Sequence, residues 1–133
     1  MKKIIVFICL HTLIFASEQS GSFIDVKHHL EWQDTADVEK EEKWAMSKSY
    51  CHSLKLLGYN DWHLPTIEEL KTIIETVQTK KFNYGTSSAY WTSEDDKKDY
   101  INAWAIYMQT GHLFSNDKCD IINTRCVRNN FEK

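Results

Sequence analysis

Residues 64–70 constrain the local structure of this chain more firmly than any other segment. Pro65 restricts Leu64 to extended conformations. Thr66 and Glu69 have the spacing of a capping box, in which each side chain binds the backbone amide of the other residue. The apolar positions that follow recur at helical spacing: Ile67, Leu70, Ile73, Ile74 and Val77. The chain is therefore predicted to enter a helix from a straight segment.

The remaining pattern predicts one more helix and a sheet. The second helix is predicted from the spacing of apolar residues between Trp44 and Leu57, with Gly58 ending it. Alternating or β-branched stretches predict strands at 23–26, 30–32, 90–93, 101–108, 112–114 and 124–128. In the 101–108 stretch, Ala103, Ala105 and Tyr107 share one face. Two helices early and strands late predict an α+β domain.

The first 16 residues have the layout of a secretory signal peptide, with a basic start at Lys2 and Lys3, an apolar run and the small residue Ala16. The apolar run of about 12 residues is short of the roughly 20 that a spanning helix needs, so no membrane span is expected after cleavage. Residues 17–133 would then form a single exported domain. We expect it in the bacterial periplasm, at the cell surface or secreted.

The charge balance of this mature domain is mildly acidic. Removing Lys2 and Lys3 leaves 14 basic against 19 acidic residues, a formal charge of about −5. Binding to nucleic acid relies on clustered basic residues that replace counterions along the phosphates. The composition therefore predicts no nucleic-acid partner.

Three cysteines remain after removal of the signal peptide, and export permits disulfides. They allow three pairings. We favour Cys51 with Cys126 as a hypothesis, because this bridge joins a helix to a late strand and closes a long loop. Pairings of Cys119 with either of the others remain open. Under the favoured pairing, Cys119 is a free thiol or links two copies of the chain in a dimer.

Several ordered motifs resemble the bacterial Lcl C-terminal domain family. The resemblance covers nearly the whole mature chain and is carried by 30–34, 50–51, 58–70, 90–93, 103–104, Gly111 and 125–128. It implies a C-type-lectin-like fold related to formylglycine-generating enzymes, with two helices flanking a small antiparallel sheet and paired terminal strands. It also supports the bridge between Cys51 and Cys126. The chain departs from the family pattern at His63, where arginine is usual, and at Cys119.

Five tryptophans and six tyrosines raise the hypothesis of a sugar-binding surface, because aromatic faces stack on pyranose rings. The candidate ligand-binding residues lie in the family motifs: Trp62, His63, Trp91, Trp104 and Arg128. For the tryptophans taken one by one, core packing at the junction of helices and sheet is the favoured interpretation over ligand contact. For Arg128 the alternative is an ion pair with a carboxylate.

No metal or cofactor site is predicted. Asn60 and Asp61 only partly resemble the calcium-binding triplets of lectins, and turn formation explains them as well. The histidines lack metal-ligand spacing: His28, His29, His52, His63 and His112.

These patterns predict a non-catalytic binding or adhesion module whose ligand is a glycan or an envelope protein. One alternative is a thiol-dependent redox protein or enzyme that uses Cys119, which has Lys118 beside it. The other is a structural domain of a periplasmic assembly.

Overall fold

The computed structural model describes residues 20–78 and 81–131. The signal peptide predicted for residues 1–16 lies outside the described residues. No helix in the described part is long and apolar enough to cross a membrane.

The described residues form two α-helices and eight strands, which confirms the α+β class. The helices are α1 (Trp44–Ser53) and α2 (Ile67–Gln78), and a short 3-10 helix occupies Ala36–Glu39. The strands are β1 (Ser22–Asp25), β2 (Leu30–Gln33), β3 (Glu41–Glu42), β4 (Ala89–Asp95), β5 (Asn102–Tyr107), β6 (Leu113–Asp117), β7 (Ile122–Asn123) and β8 (Val127–Asn129).

A three-stranded antiparallel sheet joins the two ends of the described chain in the order β1-β2-β8. The turn at 26–29, in which His29 has a φ of 54°, folds β2 back on β1, and β8 then adds to the other edge of β2. The terminal strands thus share a sheet, but they do not pair directly as expected, because β2 lies between them.

The second sheet has five strands in the order β3-β7-β4-β5-β6. It is mixed rather than purely antiparallel, because β7 runs parallel to β4. Residues 118–121 carry the chain from β6 at one edge to β7, with β4 and β5 lying between these two strands. The strands β3 and β7 were not predicted, since each has only two residues.

The two helices agree with the sequence to different degrees. The capping box of α2 is present: the Thr66 amide donates to Glu69 Oε1 at 2.9 Å and the Glu69 amide donates to Thr66 Oγ1 at 3.1 Å. Helix α1 ends at Ser53, earlier than predicted. Leu57 and Gly58 have positive φ angles of 55° and 81° and form a turn instead.

The buried side chains form two clusters. One packs Leu70 and Ile73 of α2 against Tyr90 and Ile106 of the sheet. The other contains Trp44 and Cys51 of α1, Trp62, Leu64 and the sheet residues Trp91, Ala103 and Ala105. Each helix therefore contributes to a separate part of the core.

The disulfide joins Cys51 of α1 to Cys126 immediately before β8, with their Cα atoms 5.4 Å apart. This confirms the favoured pairing. Cys119 is exposed and carries a free thiol.

A buried arginine fixes the loop between α2 and β4. Arg125 is fully buried and its guanidinium donates to the carbonyl oxygens of Gln33 and Tyr84. The carboxylate of Asp34 lies 3.7 Å from it and accepts hydrogen bonds from the amide and side chain of Asn83. The guanidinium of Arg125 and the carboxylate of Asp34 each bind a residue of this loop, so the irregular segment is held against the core.

Candidate functional site

An open groove of about 460 Å³ lies over the five-stranded sheet. All five strands contribute to its lining, and residues 120–121 of the crossing segment line it as well. The volume falls within the range of small-molecule sites. We call it the sheet groove; its lining residues are Glu41, Ser88, Ala89, Tyr107, Phe114, Asn116, Asp120, Ile121, Ile122 and Asn123.

Two stacked rings, those of Tyr107 and Phe114, line this groove. The rings of Tyr107 and Phe114 lie 4.6 Å apart with an interplanar angle of 27°, and His112 is 6.3 Å from each. The register explains the stack: Phe114 pairs with Ala105, whose small side chain leaves room beside it, and Tyr107 is the next residue on that face. Tyr107 remains 47% exposed, so the platform presents an accessible aromatic surface.

Polar residues also line the sheet groove. Asn116 donates to the Asp120 carboxylate at 3.0 Å, and Asn123 donates to the Val38 carbonyl at 3.1 Å. Glu41 is exposed and takes part in no ion pair among the described residues. The sheet groove therefore combines a flat apolar surface with carboxylate and amide oxygens at its edge.

His63 lines a second pocket, of about 470 Å³, between α1 and the segment before α2. Lys48 and His52 of α1 and Ser93 of β4 complete much of its wall. The Nε2 atom of His63 lies 2.9 Å from Glu69 Oε1, and this hydrogen bond raises the pKa of His63. Burial opposes ionisation of Glu69, but its hydrogen bonds to His63 and Thr66 outweigh burial and lower its pKa. His63 thus helps to hold in place the Glu69 carboxylate that caps α2.

Two of the predicted ligand-binding tryptophans lie in the core. Trp62 is 2% exposed and Trp91 is fully buried, and both belong to the cluster around α1. The indole nitrogen of Trp91 donates to the Glu42 carbonyl at 2.8 Å. A ligand reaches neither ring without displacing core side chains.

The other two predicted residues occupy different environments. Trp104 is partly exposed and lines a pocket of about 280 Å³ with residues 94–98. Arg128 is nearly buried and forms ion pairs with Glu31 at 2.6 Å and Asp61 at 2.7 Å. Its guanidinium also lies 3.5 Å from the ring centre of Tyr59. These contacts correspond to the ion-pair alternative for Arg128.

The predicted ligand-binding residues therefore do not form one site. The sheet groove is lined by residues that were not predicted from the sequence. The alternation of β5 placed Tyr107 on the alanine-bearing face, and the turn at 110–111 implied that His112 and Phe114 lie beside it. An aromatic residue next to alanines on an otherwise covered face was the available signal. The contribution of β3 and β7 had no comparable signal.

Cys119 lies in the crossing segment close to the sheet groove. Its amide donates to the Asp117 carboxylate at 2.7 Å. The ammonium of the adjacent Lys118 forms an ion pair with Asp95 and lies 4.4 Å from the ring centre of Trp44. Lys118 is thus engaged with other groups.

The described part is an α+β domain with a disulfide and an aromatic groove on its larger sheet. The family model for the Lcl C-terminal domain matches residues 21–128, and the chain belongs to this family. A search of curated proteins found no match.

Among solved structures, the chain is similar to a chain of the complex between a mutant von Willebrand factor A1 domain and botrocetin. The TM-score is 0.50 at 9% sequence identity, and the match covers 79% of this chain and 94% of that chain. At this identity the likeness concerns the fold alone.

Proposed function

We propose that this protein is an exported, non-catalytic binding module of C-type-lectin-like fold, and that it binds a glycan in the sheet groove. The observation that carries the proposal is the half-exposed ring of Tyr107, stacked on Phe114 and bordered by hydrogen-bonding oxygens. The family membership and the disulfide are compatible with this role.

The chemistry of the sheet groove matches the two needs of sugar recognition. The C–H face of a pyranose packs on an aromatic ring, which supplies apolar contact without requiring a deep cavity. Hydroxyl groups at the sugar edge then need partners, since an unpaired polar group that leaves water costs free energy. The side chains of Asn116 and Asp120 stand beside the platform and supply such partners.

Export to the periplasm or cell surface is part of the proposal. The disulfide joins cysteines 75 residues apart. Disulfides persist in oxidising compartments and are rare in the bacterial cytosol. Alkaline phosphatase fused after residue 20 would be active outside the cytoplasm if the first residues direct export. An inactive fusion would contradict this part of the proposal.

The binding site is tested by titrating the purified protein with a panel of neutral oligosaccharides and following backbone amide resonances. Tyr107→Ala should weaken binding by about tenfold, the upper end of what an aromatic contact contributes. Tyr100→Ala is the matched control, because Tyr100 is 72% exposed and does not line the groove. Equal affinity of both variants for every sugar would overturn the assignment of the sheet groove.

A second proposal concerns Cys119. An exposed thiol in an exported chain favours a disulfide between two copies, formed by exchange with an oxidised thiol partner. Non-reducing mass measurement of protein taken from the periplasm should then show a dimer that Cys119→Ser abolishes. A monomer with a free Cys119 would leave the thiol-dependent alternative to be tested with the same variant in redox assays.

A further inference from the structure

We infer that the protein has a second ligand site, in the pocket between α1 and the segment before α2, and that this site binds an oxyanion such as a carboxylate or a phosphate group. The pocket has a volume of about 470 Å³. We call it the α1 pocket; its lining residues are Lys48, Ser49, His52, His63, Leu64 and Ser93. None of these residues lines the sheet groove, so the inference is independent of the glycan proposed there.

The polar side chains of the α1 pocket can all donate hydrogen bonds. They are those of lysine, histidine and serine, and the described lining contains no aspartate or glutamate. Lys48 and His52 form no ion pair with a described residue, and the hydroxyls of Ser49 and Ser93 make no hydrogen bond with one. An oxyanion would accept hydrogen bonds from all of these groups and would supply the opposite charge.

The two free basic side chains lie next to each other on α1. Lys48 and His52 are four residues apart, a spacing that makes side chains neighbours on a helix surface. Like charges at this spacing repel, so the pair destabilises the helix slightly when His52 is protonated. The ammonium of Lys48 lies 3.6 Å from the ring centre of Trp44, which orients the ammonium without neutralising it. An anion bound between the two side chains would remove the repulsion.

The third basic residue of the pocket already has a partner. The Nε2 atom of His63 lies 2.9 Å from Glu69 Oε1, so a protonated His63 is balanced by a carboxylate. The excess positive charge of the α1 pocket therefore comes from Lys48 and His52. We assign the contacts with the oxyanion to these two residues and to the two serine hydroxyls.

Backbone contacts and the disulfide hold the two walls of the α1 pocket in place. His63 exchanges two backbone hydrogen bonds with Val127, at 2.8 and 2.9 Å. The disulfide joins the residue before His52 to the residue before Val127. The backbones of both walls are thus fixed relative to each other before a ligand arrives, which lowers the entropy cost of binding.

The experiment titrates the purified protein with benzoate, phenyl phosphate and benzamide, and follows the backbone amide resonances in a phosphate-free buffer at pH 6. Benzamide has nearly the shape of benzoate but lacks its charge. The two anions should shift the amides of residues 48–52, 63–64 and 93, and should bind about three- to tenfold more tightly than benzamide, the effect of one or two exposed ion pairs. High salt should reduce this difference, because exposed charges are screened. The anion that binds more tightly identifies the preferred oxyanion.

The double variant Lys48→Gln/His52→Gln should bind both anions no more tightly than benzamide. Lys55→Gln is the matched control, because Lys55 is exposed and does not line the α1 pocket, and it should bind like wild type. Tyr107→Ala should also bind the anions like wild type, which separates this site from the sheet groove.

Three results would overturn the inference. They are equal affinity for benzoate, phenyl phosphate and benzamide, equal anion affinity of wild type and the double variant, and absence of amide shifts with either anion at about 10 mM. Each of these results would leave the proposed glycan binding in the sheet groove intact, because the two sites share no lining residue.

Discussion

The bridge between Cys51 and Cys126 should supply a large part of the stability of this domain. The two cysteines are separated by 75 residues, and closing a loop of this length in the unfolded chain corresponds to about 4.5 kcal/mol in the chain-entropy account. Domains of this size are stable by roughly 5–15 kcal/mol in total. The double variant Cys51→Ala/Cys126→Ala should therefore lose at least about 4 kcal/mol, since both side chains are fully buried and their truncation also removes core contacts.

Urea unfolding followed by tryptophan fluorescence measures this loss. The midpoint of thermal unfolding should fall by roughly 15–20 °C, at about 4 °C for each kcal/mol. Cys119→Ala is the matched control, because Cys119 is exposed and unpaired, and it should leave stability unchanged. A loss below about 1 kcal/mol in the double variant would refute the reasoning, since the bridge would then not restrict the unfolded chain.

Two further predictions concern the helix cap and the loop before β4. The pKa of His63 is raised in the folded protein, so its charged pair with Glu69 stabilises the fold fully below the unfolded pKa near 6.5. This stabilisation is lost as pH rises through the folded pKa. His63→Arg should keep the pair charged, so its melting temperature should vary less than wild type over about pH 6 to 9; equal pH profiles would contradict this. Gly85→Ala should destabilise by more than about 2 kcal/mol, because its φ is +66° and the new Cβ would lie 1.9 Å from the Tyr90 hydroxyl. Gly58→Ala, with a φ of +81° and nothing within 4 Å, should cost only about 1 kcal/mol, and equal losses in the two variants would refute the steric argument.

The parts of the fold that depend on local chemistry were predictable. Helix α2 starts where Thr66 and Glu69 cap it, because both partners lie within one turn of each other. The predicted end of α1 was wrong because the helical spacing of apolar residues continues to Leu57, beyond the last helical residue, Ser53. Leu54 still packs against the core cluster from a non-helical segment, whereas Leu57, the last position of the predicted helix, is 50% exposed in a turn.

The candidate site was harder to predict because its residues are distant in sequence. Glu41 reaches the groove through β3, a two-residue strand whose pairing depends on where the crossing segment delivers Asn123. No pattern within the sequence of either strand specifies that β3 pairs with β7. Tryptophan content was a misleading guide to the sheet groove, since the large rings of Trp62 and Trp91 fill the core.

The position of the disulfide also determines how the domain would carry tension. Cys126 directly precedes β8, and Cys51 lies in α1, so a pull on the two ends of the described chain passes through the sulfur bridge. The load bypasses the 75-residue stretch that contains β4 to β7. Strand β8 could be peeled away and the N-terminal strands extended while the platform of Tyr107 and Phe114 bears no direct force. The ring platform would therefore stay folded while the two ends of the described chain are under tension.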